Sequence, residues 1–428
     1  MIPVKMLEDY KTIAGKCLRC SLCKFIPQVA IMSQEFSTVC PSIDRYNFHG
    51  FSGGGRLVMA LALMSGRLEF TQDVVDVIYK CTSCGGCDVA CKYLNTLEPL
   101  DVIQAVRERA VQLKAGPMPA HRAYIQRVVD THNPYGEDHG KRFAWMPGDV
   151  KVTDGARTAY FVGCTSAYRR KEIAVATARL LSKAGVEFTV LGDGEFCCGS
   201  PLLRVGDRAA FEDAARHNIG ALQRMGIRRV VMSCAGCYSA FKVHYPEVQR
   251  SGFKVMHTSQ LFSELIREGR LKLSKEVAEV ATYHDPCHLG RCAEPRRGWH
   301  GVEFKVLTFV RLSVPPRQFR RGNKGVFEEP RDAMRRVPGL RLVEMERRRE
   351  YAYCCGAGGG VKAAFPEFAG FTVGSRLKEA KNTGASMIVT ACPFCIINFK
   401  DGIRESGGGM RCLDLSELLL EAAGGGAD

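Results

Sequence analysis

The sequence predicts an α + α/β chain: an all-helical, cysteine-rich N-terminal part, then two small parallel α/β units that duplicate each other. Three observations predict it. Residues 11–95 space their apolar side chains as helices do, with almost no strand signal, around two tight cysteine runs. From residue 157 short apolar runs alternate with longer helical patterns. A five-cysteine pattern, C…CC…CxxC, occurs twice: Cys164, Cys197, Cys198, Cys234, Cys237 and Cys287, Cys354, Cys355, Cys392, Cys395. The flanks repeat with it: Val230-Val231-Met232-Ser233-Cys234 parallels Ile388-Val389-Thr390-Ala391-Cys392, and Phe241-Lys242 parallels Phe399-Lys400.

In the N-terminal part, residues 56–68 are apolar at helical spacing. Thr71 is placed to cap a helix over 73–79, and Asp101 to cap one over 102–114 that Gly116-Pro117 stops. Ser52-Gly53-Gly54-Gly55-Arg56 reads as a loop, with anion binding as the alternative. Residues 116–156 lack periodicity and carry Pro117, Pro119, Pro134 and Pro147, the marks of a connector packed over both parts.

The first α/β unit is expected over 157–272. Its strands are 160–162, 186–191 leading to Cys197-Cys198, 229–232 leading to Cys234, and 253–257. Its helices are 172–183, 207–225 and one after Ser259. The second is expected over 278–424, with strands at 340–344 and 386–391, a terminal helix at 414–422 and a mobile Gly-rich tail. Cysteines thus fall at strand C-terminal ends, where open α/β sheets place ligands. Gly356 and Gly358-Gly359-Gly360 are expected to let the backbone approach a bound group closely. The long Cys287–Cys354 gap marks a basic insertion at 292–324, with Val306-Leu307-Thr308-Phe309-Val310 ahead of Pro315-Pro316. It reads equally as a partner-docking arm or a tolerated surface insertion.

A chain of 428 residues with 46% hydrophobic and 25% charged content affords a large core, so its 20 cysteines are not needed as staples. The start, Met1 to Tyr10, lacks a basic region followed by an apolar one, and no apolar run approaches the ~18–20 residues of a membrane span. A cytoplasmic, reducing location is expected, peripheral to a membrane only through a partner, with thiols kept for metal. The net charge of +15 suits an anionic substrate, an acidic protein or an anionic membrane face. No helix-turn-helix, zinc-finger or RNA-binding signature supports a nucleic-acid partner.

The first cysteine run is Cys17-x2-Cys20-x2-Cys23, with Cys40-Pro41 further on. The second is Cys81-x2-Cys84-x2-Cys87-x3-Cys91. Three thiolates spaced by two residues can hold one cubane, and in two-cluster ferredoxins the fourth cysteine of each run serves the other cluster. This assigns Cys17, Cys20, Cys23 and Cys91 to one cubane [4Fe–4S] cluster and Cys81, Cys84, Cys87 and Cys40 to the other, within a helical ferredoxin domain over 1–115. Zinc, the alternative, usually takes two CxxC pairs. Two departures stand out: Cys40 lies far beyond Cys23, and Lys92 occupies the usual proline position.

With the duplicated C…CCG…CxxC behind a two-cluster ferredoxin domain, the chain resembles the CCG-domain iron–sulfur oxidoreductases. Its arrangement is that of the D-type heterodisulfide reductase proteins, a C-type ferredoxin part fused to a B-type part. The resemblance covers nearly the whole chain. It implies that each five-cysteine set binds a noncubane [4Fe–4S] cluster and that a disulfide is reduced between them, with Cys197, Cys198, Cys354 and Cys355 at the catalytic centre. It also implies an anaerobic complex with other redox subunits: a flavoprotein, a membrane cytochrome or another iron–sulfur protein. An anionic thiol or disulfide substrate fits. The alternative is an electron relay without its own substrate, as in aryl-CoA reductases or 2-hydroxyacid oxidases. His284, Asp285 and His288 flank Cys287 and are candidates for proton donation, for hydrogen bonds to cluster sulfurs, or for structural bonds. Cys292 and Cys412 fall outside every motif and read as ordinary thiols.

Overall fold

Ser52 caps the first long helix, Gly53–Met64: its hydroxyl accepts from the Gly55 N–H at 2.9 Å. The computed structural model, which describes residues 5–295, 299–306, 311–316 and 318–425, thus turns the expected glycine loop into a helix start. The absence of side chains there lets the helix lie on thiols. A Cβ at Gly54 would stand 3.4 Å from Cys23 Sγ and 3.6 Å from Cys17 Sγ. Thr71 caps Gln72–Tyr79 as expected. The next helix, Pro99–Gln112, starts before Asp101, because Pro99 at its first position has φ preset and needs no N–H partner. Asp101 sits in its first turn instead of capping it. The connector is also corrected: Pro119–Thr131 is a helix, which its proline starts rather than breaks.

In the first unit, β1 (Thr158–Phe161), β2 (Arg229–Met232) and β3 (Lys254–His257) form a parallel sheet in that order. Their apolar side chains are buried, as in a sheet covered on both faces. The strand expected over 186–191 shrinks to one bridge, Thr189 with Ala159. Gly185 (φ 61°) and Gly192 (φ 57°) turn the chain away at both ends, leaving too few residues for a ladder. The second unit opens with β4 (Val280–His284). The insertion follows as an antiparallel hairpin, β5 (Val302–Lys305) with β6 (Arg311–Val314). Residues 307–310 of its apolar run, and 426–428 of the tail, lie outside the described residues. Then come β7 (Arg341–Val343), β8 (Met387–Thr390) and β9 (Arg411–Asp414), giving a parallel sheet in the order β7-β4-β8-β9. With the Thr189 bridge standing for β7, the two units share one strand order.

The units also exchange helices. Thr258–Arg267, after the last strand of the first, packs on Glu328–Arg335 of the second; Leu415–Ala422, after the last strand of the second, packs on Lys171–Lys183 of the first. One apolar core consequently runs through both.

The helical part is fastened to both units by Arg107, fully buried. Its guanidinium donates to the carbonyls of Cys81 (2.7 Å), Ile78 (3.0 Å), Arg204 (2.6 Å) and Gly359 (3.0 Å). The Gly358-Gly359-Gly360 run does approach a cysteine motif, but through backbone. A Cβ at Gly358 would stand 2.6 Å from the Thr82 carbonyl, and one at Gly359 would meet the Cys81 carbonyl. Among the described residues, no helix is long and apolar enough to cross a membrane.

Candidate metal centres

In the helical part, Cys23 interacts electrostatically with Cys17 and Cys20, and Cys91 with Cys23. Cys40 interacts with Cys81 and Cys84, and Cys87 with Cys81, Cys40 and Cys84. The Gly54 N–H donates to Cys23 Sγ at 3.2 Å. Gly53 lies between the two groups: a Cβ there would be 2.8 Å from Cys87 Cβ and 3.4 Å from Cys23 Cβ.

In each α/β unit the strand ends deliver the thiols. Cys234 and Cys392 follow β2 and β8 and stand at the N-caps of Ala235–Ser239 and Pro393–Glu405. The glycine after each cysteine pair is left-handed, Gly199 at φ 75° and Gly356 at φ 93°. A Cβ at Gly356 would stand 2.7 Å from the Ala369 carbonyl. The first set makes thiol contacts in the order Cys164, Cys197, Cys198, Cys237, Cys234. The second runs Cys287, Cys354, Cys355, Cys395, Cys392. The sets meet where Cys234 touches Cys392, and Cys84 of the helical part touches Cys354.

Bonds from Cys197 and Cys237 pull the Cys198 thiol down to about 6, and bonds from Cys354 and Cys395 pull Cys355 well below the usual thiol value. Each set therefore favours a thiolate, the form that binds metal. Buried cations attend them. Arg142 Nη1 and Nη2 lie 3.7 and 3.6 Å from Cys164 Sγ, and Arg142 pairs with Glu195 at 2.6 Å, both fully buried. Arg291 donates to the Cys84 carbonyl at 2.6 Å and the Ala352 carbonyl at 2.6 Å. Nη2 of Arg291 and Nη2 of Arg376 are buried without a hydrogen-bond partner among the described residues. Unpartnered guanidinium N–H groups beside clustered thiolates fit anionic iron–sulfur groups.

The three residues flanking Cys287 separate in role. Asp285 is structural. Burial pushes its carboxyl up, but Arg331, donating at 2.7 and 2.9 Å, more than offsets this and holds it below its ordinary value. His288 faces the Ser83 carbonyl at 3.3 Å. Only His284 reaches the thiols, with Cys355 and Cys395. Cys412 is a buried β9 residue paired with Ile388. Cys292 donates to the Cys84 carbonyl at 3.2 Å, so it belongs to the junction. Sequence reading misses Arg107, Arg142, Arg291 and Arg376, since nothing local marks an arginine as buried.

The fold and its thiol sets define an iron–sulfur oxidoreductase with a ferredoxin part and duplicated cysteine-rich units. A 4Fe-4S dicluster domain model matches residues 13–94, and a cysteine-rich CCG domain model matches 158–242 and 318–400. The second match begins beyond the hairpin and leaves Cys287 outside, although β4 places Cys287 as β1 places Cys164. The D-type subunit of the dihydromethanophenazine:CoB--CoM heterodisulfide reductase of Methanosarcina barkeri is 38% identical over 82% of this chain and 80% of its own length. Its counterpart of the same name from Methanosarcina mazei is 35% identical over 95% and 93%. The B-type subunit of the fumarate reductase (CoM/CoB) of Methanothermobacter marburgensis is 33% identical over 81% of this chain and 62% of its own length. The chain belongs to the D-type heterodisulfide reductase family.

Proposed function

We propose that this chain is the disulfide-reducing member of a larger anaerobic redox complex. Its ferredoxin domain (1–115) holds two cubane [4Fe–4S] clusters, one on Cys17, Cys20, Cys23 and Cys91, the other on Cys81, Cys84, Cys87 and Cys40. The neighbour pattern of Cys91 with Cys23, and of Cys40 with Cys81 and Cys84, supports this crossed assignment. Beyond the 116–156 connector, the units at 157–272 and 278–424 each hold a noncubane [4Fe–4S] cluster on their five cysteines. Bound clusters supply one-electron donor and acceptor sites.

The observation that carries the reading is the unbroken run of thiol contacts from Cys84 through Cys354 and Cys355 to Cys392, Cys234 and Cys198. Reducing R–S–S–R′ to two thiols takes two electrons and two protons. Two thiol sets joined at Cys234 and Cys392 match the two sulfurs, with Cys197, Cys198, Cys354 and Cys355 as the catalytic cysteines. The net charge of +15 favours an anionic disulfide. Electrons arrive from a flavoprotein, a membrane cytochrome or another iron–sulfur protein, in keeping with relatives named as subunits.

The test is thiol release from an organic disulfide by the anaerobic preparation with its partners, using a reduced dye as donor. Release is expected in the native chain and lost in Cys355→Ser with the ferredoxin clusters still reducible. Full activity in Cys355→Ser would defeat the assignment. One observation favours a pure relay: Cys354 and Cys355 are only 2% and 5% exposed. A relay would oxidise the dye through its partners and release no thiol from any disulfide.

A further inference from the structure

Phe161 and His284 occupy the same place in the two units. Phe161 pairs with Met232 in β2, two residues before Cys234; His284 pairs with Thr390 in β8, two residues before Cys392. Each ring meets an equivalent phenylalanine, seven residues past that cysteine, edge-on at the same separation. Phe161 lies 4.8 Å from Phe241, and His284 lies 4.8 Å from Phe399. The duplication is therefore kept in geometry and broken in chemistry at this position.

A ring nitrogen of His284, together with Cys355 Sγ and Cys395 Sγ, forms a buried group whose atoms all lie within 4.8 Å of one another. Taken alone, that grouping looks like a metal ligand set. The other side of the ring argues otherwise. Arg376 Nε donates to His284 Nδ1 at 3.2 Å. A guanidinium has no acceptor, so this Nδ1 carries no proton, and the neutral ring carries its proton on Nε2. A histidine that ligates metal shows the reverse pattern, giving its remote N–H to a carboxylate or carbonyl. Arg376 is itself held in place. Its Nη1 donates to Glu379 at 2.6 Å; Glu379 accepts from Arg347 Nε at 3.0 Å; Arg347 Nη1 donates to the Thr38 carbonyl at 2.9 Å. All four side chains, from His284 to Arg347, are buried.

We infer that the two five-cysteine sites are electronically unequal, because His284 offers the second site an N–H donor where the first has only the Phe161 ring. The inference rests on reading both sets as iron–sulfur sites. An N–H bond to a cluster sulfur draws off negative charge and favours the reduced, more negative state. The second site is thus the more easily reduced, and it is the one that touches Cys84. His284 acts through the cysteine sulfurs and is a positioning residue.

EPR-monitored redox titration of the anaerobic, iron-replete preparation with its partners tests this. His284→Phe is expected to lower one of the two midpoint potentials of the duplicated half and spare the other. His284→Gln, whose amide keeps an N–H, is expected to recover part of the shift. Phe161→His, in the other unit, is expected to raise the potential that His284→Phe spares. ENDOR on the native chain is expected to show an exchangeable proton that His284→Phe removes. Unmoved potentials in His284→Phe at full iron content would overturn the inference alone. Loss of one site's iron in both His284 variants would make His284 a ligand and also overturn it. Absence of cluster signals from the duplicated half of the native chain would overturn both it and the reading beneath it.

Discussion

Cys84 and Cys354 touch thiol to thiol across the boundary between the helical part and the second α/β unit. Arg291 fastens the same junction, reaching the Cys84 carbonyl and the Ala352 carbonyl. Electrons gathered in the helical part thus have their shortest way out at the second set. Cys84→Ser is expected to slow electron delivery while leaving substrate binding intact. Stopped-flow reduction of the duplicated half, beside a substrate-binding titration, reads the two separately. Loss of binding together with delivery would contradict this order.

Iron and sulfide analysis of the anaerobic preparation is expected to give about sixteen irons per chain, four for each cysteine set. About eight irons with stoichiometric zinc would remove the claim for the duplicated half.

Arg107 holds carbonyls from all three parts of the molecule. Arg107→Ala leaves those buried acceptors unpaired and is expected to cost roughly 3–5 kcal/mol. A lowered melting midpoint, with earlier protease cleavage between the helical part and the first unit, is the expected readout. An unchanged midpoint would show that water replaces the guanidinium.

Asp414 ends β9 and accepts from the N–H and hydroxyl of Ser416 at 2.9 and 2.7 Å. Burial pushes its carboxyl up to about 8 from 3.8, against the pull of the Ser416 bonds. The folded chain then binds this proton more tightly than the unfolded one, so stability falls as pH rises between about 4 and about 8. Asp414→Asn keeps an acceptor and removes the proton. It is expected to flatten the pH dependence of the melting midpoint over that window and to raise the midpoint near pH 8. An unaltered slope would place the dependence on other groups.

What is legible in the sequence is what is local. Cysteine spacing along Cys81–Cys91, the Thr71 cap and the strands before Cys234 and Cys392 depend on a few neighbouring residues, and the structure has them. Gly53-Gly54-Gly55 departs from its expected loop because propensity alone disfavours a helix there, whereas packing on Cys17 and Cys23 favours a bare helix surface. Pro119 has the look of a breaker and acts as a starter. β9 is only four residues long and exists because β8 offers it an open edge. The closeness of His284 to Cys355 and Cys395, and of Arg107 to Gly359, depends on chain segments far apart in sequence.

The crossed packing of Thr258–Arg267 and Leu415–Ala422 is what a symmetric dimer would use, with the two partners joined here on one chain. Tethering replaces a bimolecular encounter with an intramolecular one, so the pair assembles whatever the protein concentration. It also releases a constraint that identical partners cannot escape. In a homodimer any substitution appears on both sides of the axis. Once fused, each side is free to drift on its own, and a phenylalanine can face a histidine across what was an equality.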